Sequence, residues 1–364
     1  MRRRPEAASS KNSFYSASPT FVGIIVVFVV TLFVTVIVIL LMNLGKREKL
    51  LTDQGQRQTP EYLIFSPFPK NVLLDTDTTP PTTQKTIWIL WFQGWHEAPW
   101  LARAVATSWA KHNTGWTIRL VSDHNLRELL PDTQYLWNVQ MPAARSDVVR
   151  LNLLEKHGGV WADASMICFM PLDTWVCDAL RPVGFWMYHG GVNGLGPASW
   201  FIISTKESYL IRMWKMKCDA YWTDGGSNRT TAHDYFWMDS LFHELLASDA
   251  EFRDEWQSVP YLYCEDYGQS HMFAGRVMQR DLDLIDVVYR RPPYAAKLSL
   301  HGVPEFTKVN GTNLYAAVDS ALRPCWLMSN PNSLFGIQHN LKPSRAPDRP
   351  DVIERLSREM RCNT

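Results

Sequence analysis

The chain has 364 residues, of which 46% are hydrophobic, and a formal net charge of +1. That length holds one large or two small domains with an ample core. The balanced charge gives no reason to expect nucleic acid or another polyanion as a partner.

Residues 1–20 are polar and carry Arg2, Arg3, Arg4 and Lys11, a short cytosolic tail in this reading. Phe21 to Met42 is an uncharged run of 22 apolar or small residues. As a helix it would span roughly 33 Å, enough for a hydrocarbon core of about 30 Å. A cleaved signal peptide would have an apolar region of only about 7–15 residues and a small-residue cleavage site. Leu40-Leu41-Met42 supplies no such site, so the run predicts an uncleaved signal anchor over 21–42.

Orientation comes from elsewhere. Lys46, Arg47, Lys49 and Arg57 after the run balance the four basic residues before it, so the positive-inside rule is nearly silent. Two sequons, Asn228-Arg-Thr and Asn310-Gly-Thr, lie beyond the run, as do all six cysteines: Cys168, Cys177, Cys218, Cys264, Cys325 and Cys362. An even number suits an oxidising lumen and leaves the pairing open. No Cys-x-x-Cys occurs, so zinc is not expected. The expectation is a single-pass type II protein of the Golgi or ER membrane with a lumenal body.

Residues 43–85 read as a stem, because Asp75 to Gln84 consists of Thr, Asp, Pro and Gln, a composition that packs poorly. The body is expected over 86–343. Thr86 to Phe92 predicts a strand and Ala98 to His112 a helix with Leu101, Val105, Ser108 and Trp109 on one face. Thr117 to Ser122 predicts a second strand, and Asn125 to Leu130 a short helix. Strand, helix, strand at this spacing predicts a crossover in a parallel sheet. No G-x-G-x-x-G follows the first strand, against a dinucleotide dehydrogenase.

The most informative stretch is Ala144 to Ser165, ARSDVVRLNLLEKHGGVWADAS. Val148, Leu151 and Leu154, with Val149 and Leu153, give a helical period, and Ser146 can cap its start. Gly158 and Gly159 stop it. Val160 to Ala162 predicts a short buried strand that delivers Asp163 at its end. From Asp147 to His157 a helix descends roughly 15 Å. The strand climbs back roughly 13 Å. Asp147 and Arg150 therefore return close to Asp163, two carboxylates and a guanidinium on one rim, suited to a metal and an anionic ligand. Each residue alone has an ordinary reading: dipole partner, surface charge, turn former.

This stretch resembles the core of glycosyltransferases of the capsular polysaccharide synthesis type. They are related to the family 32 mannosyl- and galactosyltransferases and, more distantly, to the large clostridial glucosylating toxins. Those enzymes share Asp-x-x-Arg on a helix, Gly-Gly, and a strand ending in Asp-x-Asp. The resemblance implies a Rossmann-like, GT-A type α/β fold. It implies that Asp147 and Arg150 hold the donor sugar and that Asp163 starts the metal-binding motif for Mn²⁺ or Mg²⁺. Ser165 stands where the second acid is expected.

The segment WFQGWHEAP resembles the family's Trp-(x)-Gln-Gly. It implies Trp91 as the donor-base stack, or else a core tryptophan, with Gln93 and Gly94 allowing close backbone approach. Fainter similarity continues through Ser199-Trp-Phe-Ile-Ile, Asp234-Tyr-Phe with Asp239, and Lys297-Leu298. Asp234 is an acceptor-side or catalytic candidate, or a helix cap. Ser329 to His339 gives a weak hint of a loop over the metal, and residues 344–364 read as a charged, solvated tail.

The function implied is transfer of a sugar from a nucleotide sugar to a glycan or glycoconjugate, metal-assisted and with retained anomeric configuration. The alternative is a non-catalytic sugar-binding or scaffold descendant, motivated by Ser165.

Overall fold

The computed structural model describes residues 68–190, 196–206, 208–223, 229–262, 295–298, 349–360 and 362. The expected span over 21–42, Asn228, Asn310, Cys264, Cys325 and Ser329 to His339 lie outside them. Among the described residues no helix is long and apolar enough to cross a membrane.

In chain order the main elements are β1 (Val72–Leu73), β2 (Thr86–Leu90), α1 (Trp100–His112), β3 (Thr117–Val121) and α2 (Leu126–Leu129). Then come α3 (Pro142–His157), β4 (Gly159–Ala162), β5 (Met166–Cys168), α4 (Val176–Leu180), β6 (Phe185–Gly190) and β7 (Gly196–Ser204). The remainder are α5 (Tyr209–Thr223), α6 (Trp237–Ser248), α7 (Ala250–Ser258), β8 (Ala295–Lys297) and α8 (Pro350–Arg355).

A six-stranded sheet runs in the order β1-β3-β2-β4-β7-β6. β1, β3, β2 and β4 are parallel, while β7 pairs antiparallel with β4 and β6 antiparallel with β7. β2 reads TIWIL and is buried at every position, the continuous apolar run of a parallel strand covered on both faces. β5 and β8 form a separate antiparallel pair. The mixed α/β class and the β2–α1–β3 crossover connection follow the sequence expectation.

α1 starts two residues later than expected, because Pro99 stands as the N-cap in extended conformation. α3 starts four residues earlier than Ser146. Pro142 occupies its first turn and Met141 is an N-cap without a side-chain bond. Proline suits that position, since it has no N–H to lose and its φ is already helical. Ser146 is therefore inside the helix, and Asp147 and Arg150 lie past its first turn. Val148, Val149, Leu151, Leu153 and Leu154 are all buried, as their spacing predicts.

Gly158 and Gly159 reverse the chain with φ of 68° and 100°. A Cβ on Gly159 would stand 2.4 Å from the Thr86 carbonyl oxygen, so only glycine lets β4 pair this closely with β2.

Two boundaries move. Residues 72–84 are tied to the body at both ends, although 78–80, 82 and 83 are exposed: β1 pairs with β3, and Asp75 and Gln84 are buried. Their polar side chains are satisfied inside, Asp75 by the Trp95 N–H and Gln84 by the Lys206 N–H, while Asp77 pairs with the buried Arg119. The described C-terminal residues, 349–360 and 362, dock one side on the body rather than standing fully solvated. Val352, Leu356 and Met360 are buried, Arg349 pairs with Glu255, and a disulfide joins Cys362 to Cys177. The charged residues mask an apolar stripe along one side of the terminal helix.

Candidate active site

The chain leaves β2 for β3 on one side and returns with β4 on the other. The carboxyl ends of β2 and β4 therefore flank the switch point where open α/β sheets bind ligands. Trp91 to Gly94 leaves the end of β2, and Asp163 leaves the end of β4.

α3 and β4 run in opposite directions about the two glycines, which brings the early part of α3 back to Asp163. Arg150 lies between the acids: its Nη1 is 2.9 Å from Asp147 Oδ1 and its Nη2 3.3 Å from Asp163 Oδ1. It also donates to Ser199 Oγ at 2.8 Å, Ser199 O at 3.1 Å and Ser146 Oγ at 3.2 Å. Two indoles complete the frame. Trp161 Nε1 donates to Asp163 Oδ1 at 2.9 Å, and Trp237 Nε1, from α6, to Asp147 Oδ2 at 3.1 Å. Lys297 Nζ, from β8, stands 2.5 Å from Asp163 Oδ2. Arg150 is the more enclosed cation, at 7% side-chain exposure against 21% for Lys297.

The same surroundings drive the carboxyls apart. Burial pushes Asp147 up to about 6, against the opposing pull of Arg150. Burial also pushes Asp239 up to about 7, helped by the Asp147 charge. Burial acts on Asp163 too, but Lys297 and Arg150 overcome it and hold this carboxyl below the usual range. Asp163 is thus favoured as the anion, while burial moves Asp147 and Asp239 up towards neutrality.

Residues 72–280 match the family described as capsular polysaccharide synthesis protein. The chain belongs to that family. Glycosyltransferase afumC of Aspergillus fumigatus is 27% identical to this family member over 204 residues, covering 50% of each chain. O-glycosyltransferase PaGT of Phomopsis amygdali is 29% identical over 170 residues, 41% of each. The chain thus spans half or less of the length of these curated relatives. A solved structure titled PaToxG Glycosyltransferase aligns with TM-score 0.32 at 12% identity, over 66% of this chain and 87% of its own.

The other residues singled out in this capsular-synthesis family member fare differently. Trp91 is partly buried against the core, Gln93 is exposed, and Gly94 has φ of 96°. A side chain on Gly94 would crowd His96 and His124. Asp234 is exposed and pairs with His233 at 2.6 Å. It does not cap α6, whose N-cap is Phe236. Ser165 is buried, and its carbonyl accepts from Leu298 N at 2.8 Å.

Sequence reasoning assigns no role to Ser199, Asp239 or Lys297 beyond their place in similar segments, and passes over Trp161 and Trp237. Trp161 was reachable: two residues before Asp163 on a strand, it shares that residue's face. The others come from elements distant in sequence.

The expected metal needs a donor set. Both Asp163 oxygens already accept from Arg150, Trp161 and Lys297. Asp147 and Asp163 are balanced by two cations, leaving little net negative charge to draw in a divalent ion. Among the described residues no three His, Cys, Asp or Glu side chains stand close enough to share one. Among the described residues this arrangement does not fit a divalent cation.

Proposed function

We propose that this chain is a glycosyltransferase that moves a sugar from a nucleotide-sugar donor to a hydroxyl of a glycan or glycoconjugate acceptor, on a GT-A type fold. The observation that carries this reading is the Asp147–Arg150–Asp163 cluster at the carboxyl ends of β2 and β4. The names of the two relatives are consistent with it.

In this reading the Asp147 carboxylate and the Arg150 guanidinium hold the donor sugar's hydroxyls. Arg150 is itself held by four further acceptors, so its geometry is set before the donor arrives. That preorganisation is the positioning contribution to the barrier. Trp91, at the end of β2, stacks on the donor base, with Gly94 allowing the backbone close approach.

The reaction breaks the bond from the anomeric carbon to the diphosphate oxygen, which keeps the electron pair. A bond forms from the acceptor hydroxyl oxygen to that carbon on the same face, retaining configuration. The hydroxyl proton passes to the departing diphosphate oxygen.

We also propose a type II membrane protein of the Golgi or ER, anchored by residues 21–42. The Cys177–Cys362 disulfide supports an oxidising compartment for the body.

A panel of nucleotide sugars tests the activity, with thermal shift reporting binding and release of free nucleoside diphosphate reporting turnover. One donor should be turned over, and Asp163→Asn should lower that rate by on the order of 10²–10³ while the fold survives. Binding without turnover of any donor would replace the enzyme reading with a sugar-binding one.

A further inference from the structure

We propose that Lys297 is a catalytic residue whose ammonium neutralises the departing diphosphate in the role a divalent cation would otherwise fill. The inference rests on the glycosyltransferase reading and deepens it.

Lys297 is fixed by its strand. β8 is a three-residue strand pairing antiparallel with β5, Lys297 opposite Met166. Leu298 N donates to Ser165 O at 2.8 Å. The backbone of β8 is thereby zipped onto the residues that follow Asp163, and the Lys297 ammonium meets Asp163 Oδ2 at 2.5 Å. An acid that follows a strand end in this manner is the one expected to carry a metal. Here a lysine, delivered from 134 residues further along the chain, already balances it.

Two features separate this lysine from an ordinary structural ion pair. First, the pair is open: Lys297 and Asp163 keep 21% and 22% side-chain exposure, whereas Arg150 keeps 7%. Second, an ammonium carries three N–H donors. Among the described residues Asp163 is the one acceptor that Lys297 engages, so donors remain for phosphate oxygens.

Chemically, the charge that builds on the diphosphate oxygen as the anomeric bond breaks is met by a fixed cation. Nothing is oxidised or reduced, and Lys297 keeps its proton throughout. A preorganised charge aimed at developing negative charge is commonly the largest single source of transition-state stabilisation in an enzyme site. Lysine serves phosphate as a point charge and needs no coordination sphere.

The test uses the full chain in detergent. Binding of uridine diphosphate, guanosine diphosphate and inorganic pyrophosphate is measured by calorimetry, in chelator and in Mn²⁺. Free Mn²⁺ is titrated alone and followed by electron paramagnetic resonance. The expected result is nucleoside diphosphate binding of equal strength in chelator and in Mn²⁺, with Mn²⁺ remaining free. Lys297→Met, which keeps the length without the charge, should weaken that binding by about 10- to 100-fold, and Lys297→Arg should recover part of it.

Binding that requires Mn²⁺ would overturn the inference and leave the glycosyltransferase reading standing. So would a folded Lys297→Met protein with wild-type affinity. Failure of every nucleoside diphosphate to bind wild-type protein, with or without Mn²⁺, would overturn both. Should Lys297→Met not fold, the wild-type comparison of chelator with Mn²⁺ decides alone.

Discussion

Replacing Arg150 with methionine removes the guanidinium while keeping most of the side-chain volume. The residue is buried at 6% exposure and is the charge between two acids at 2.9 and 3.3 Å. Removing one partner of a buried ion pair commonly costs about 3–5 kcal/mol, because the other charge is left behind. Asp163 keeps Lys297, so the lower half of that range, about 3–4 kcal/mol, is expected. At roughly 2 °C per kcal/mol for a body of this size, the melting temperature at pH 7 should fall by roughly 6–8 °C.

The pH dependence identifies the cause. Asp147 is already pushed up to about 6, with Arg150 pulling against that rise. Without Arg150 the carboxyl rises further and takes a proton more readily in the folded state. An acid whose folded value is raised contributes stability that is complete below its ordinary value of 3.8 and is lost as pH rises through the folded value. The penalty in Arg150→Met should therefore shrink as pH falls from 7 towards 5. Thermal unfolding of both proteins across this range measures it. A gap that stays constant with pH, or a variant melting within about 1 °C of wild type, would refute the shared-counter-charge argument.

Asp239 is pushed up to about 7 by burial and the Asp147 charge, so ionising it above that pH costs the folded form stability. Asp239→Asn should raise the melting temperature at pH 8 and leave it unchanged near pH 4, in a pH series of thermal unfolding. Cys177 and Cys362 are bonded across a sequence separation of 185; Cys177→Ser with Cys362→Ser should cost about 2–5 kcal/mol in denaturant titration, and reducing agent should do the same to wild type. Gly159→Ala forces a Cβ to 2.4 Å from the Thr86 carbonyl at φ of 100°, and should destabilise by about 2–4 kcal/mol if the fold survives. Asn228→Gln with Asn310→Gln should abolish the gel shift produced by an N-glycan-specific glycosidase; an unglycosylated wild-type body would reverse the proposed topology.

Local chemistry was legible in the sequence. Thr86 to Phe92 read as a strand, and β2 forms over Thr86–Leu90. The period of Val148, Val149, Leu151, Leu153 and Leu154 marked the buried face of α3. Gly158-Gly159 marked the reversal, because only glycine takes two successive positive φ values beside a neighbouring strand. From those two pieces the rises of helix and strand sufficed to bring Asp147 and Arg150 to Asp163. The start of α3 was misplaced, since Ser146 resembled a cap and Pro142 acts one turn earlier through its own fixed φ.

Tertiary structure decided what no local pattern carries. Trp237 from α6 and Lys297 from β8 complete the cluster, and their arrival depends on how distant elements pair. The Asp75 to Gln84 segment read as solvated because its side chains are polar. It is tied to the body where Asp75, Asp77 and Gln84 find backbone and guanidinium partners. The proton affinities of Asp147, Asp163 and Asp239 follow the same logic. Three aspartates are chemically identical in sequence, and burial sets them against whichever cation the fold delivers. Of the three, Asp163 is the one in direct ion pairs with two.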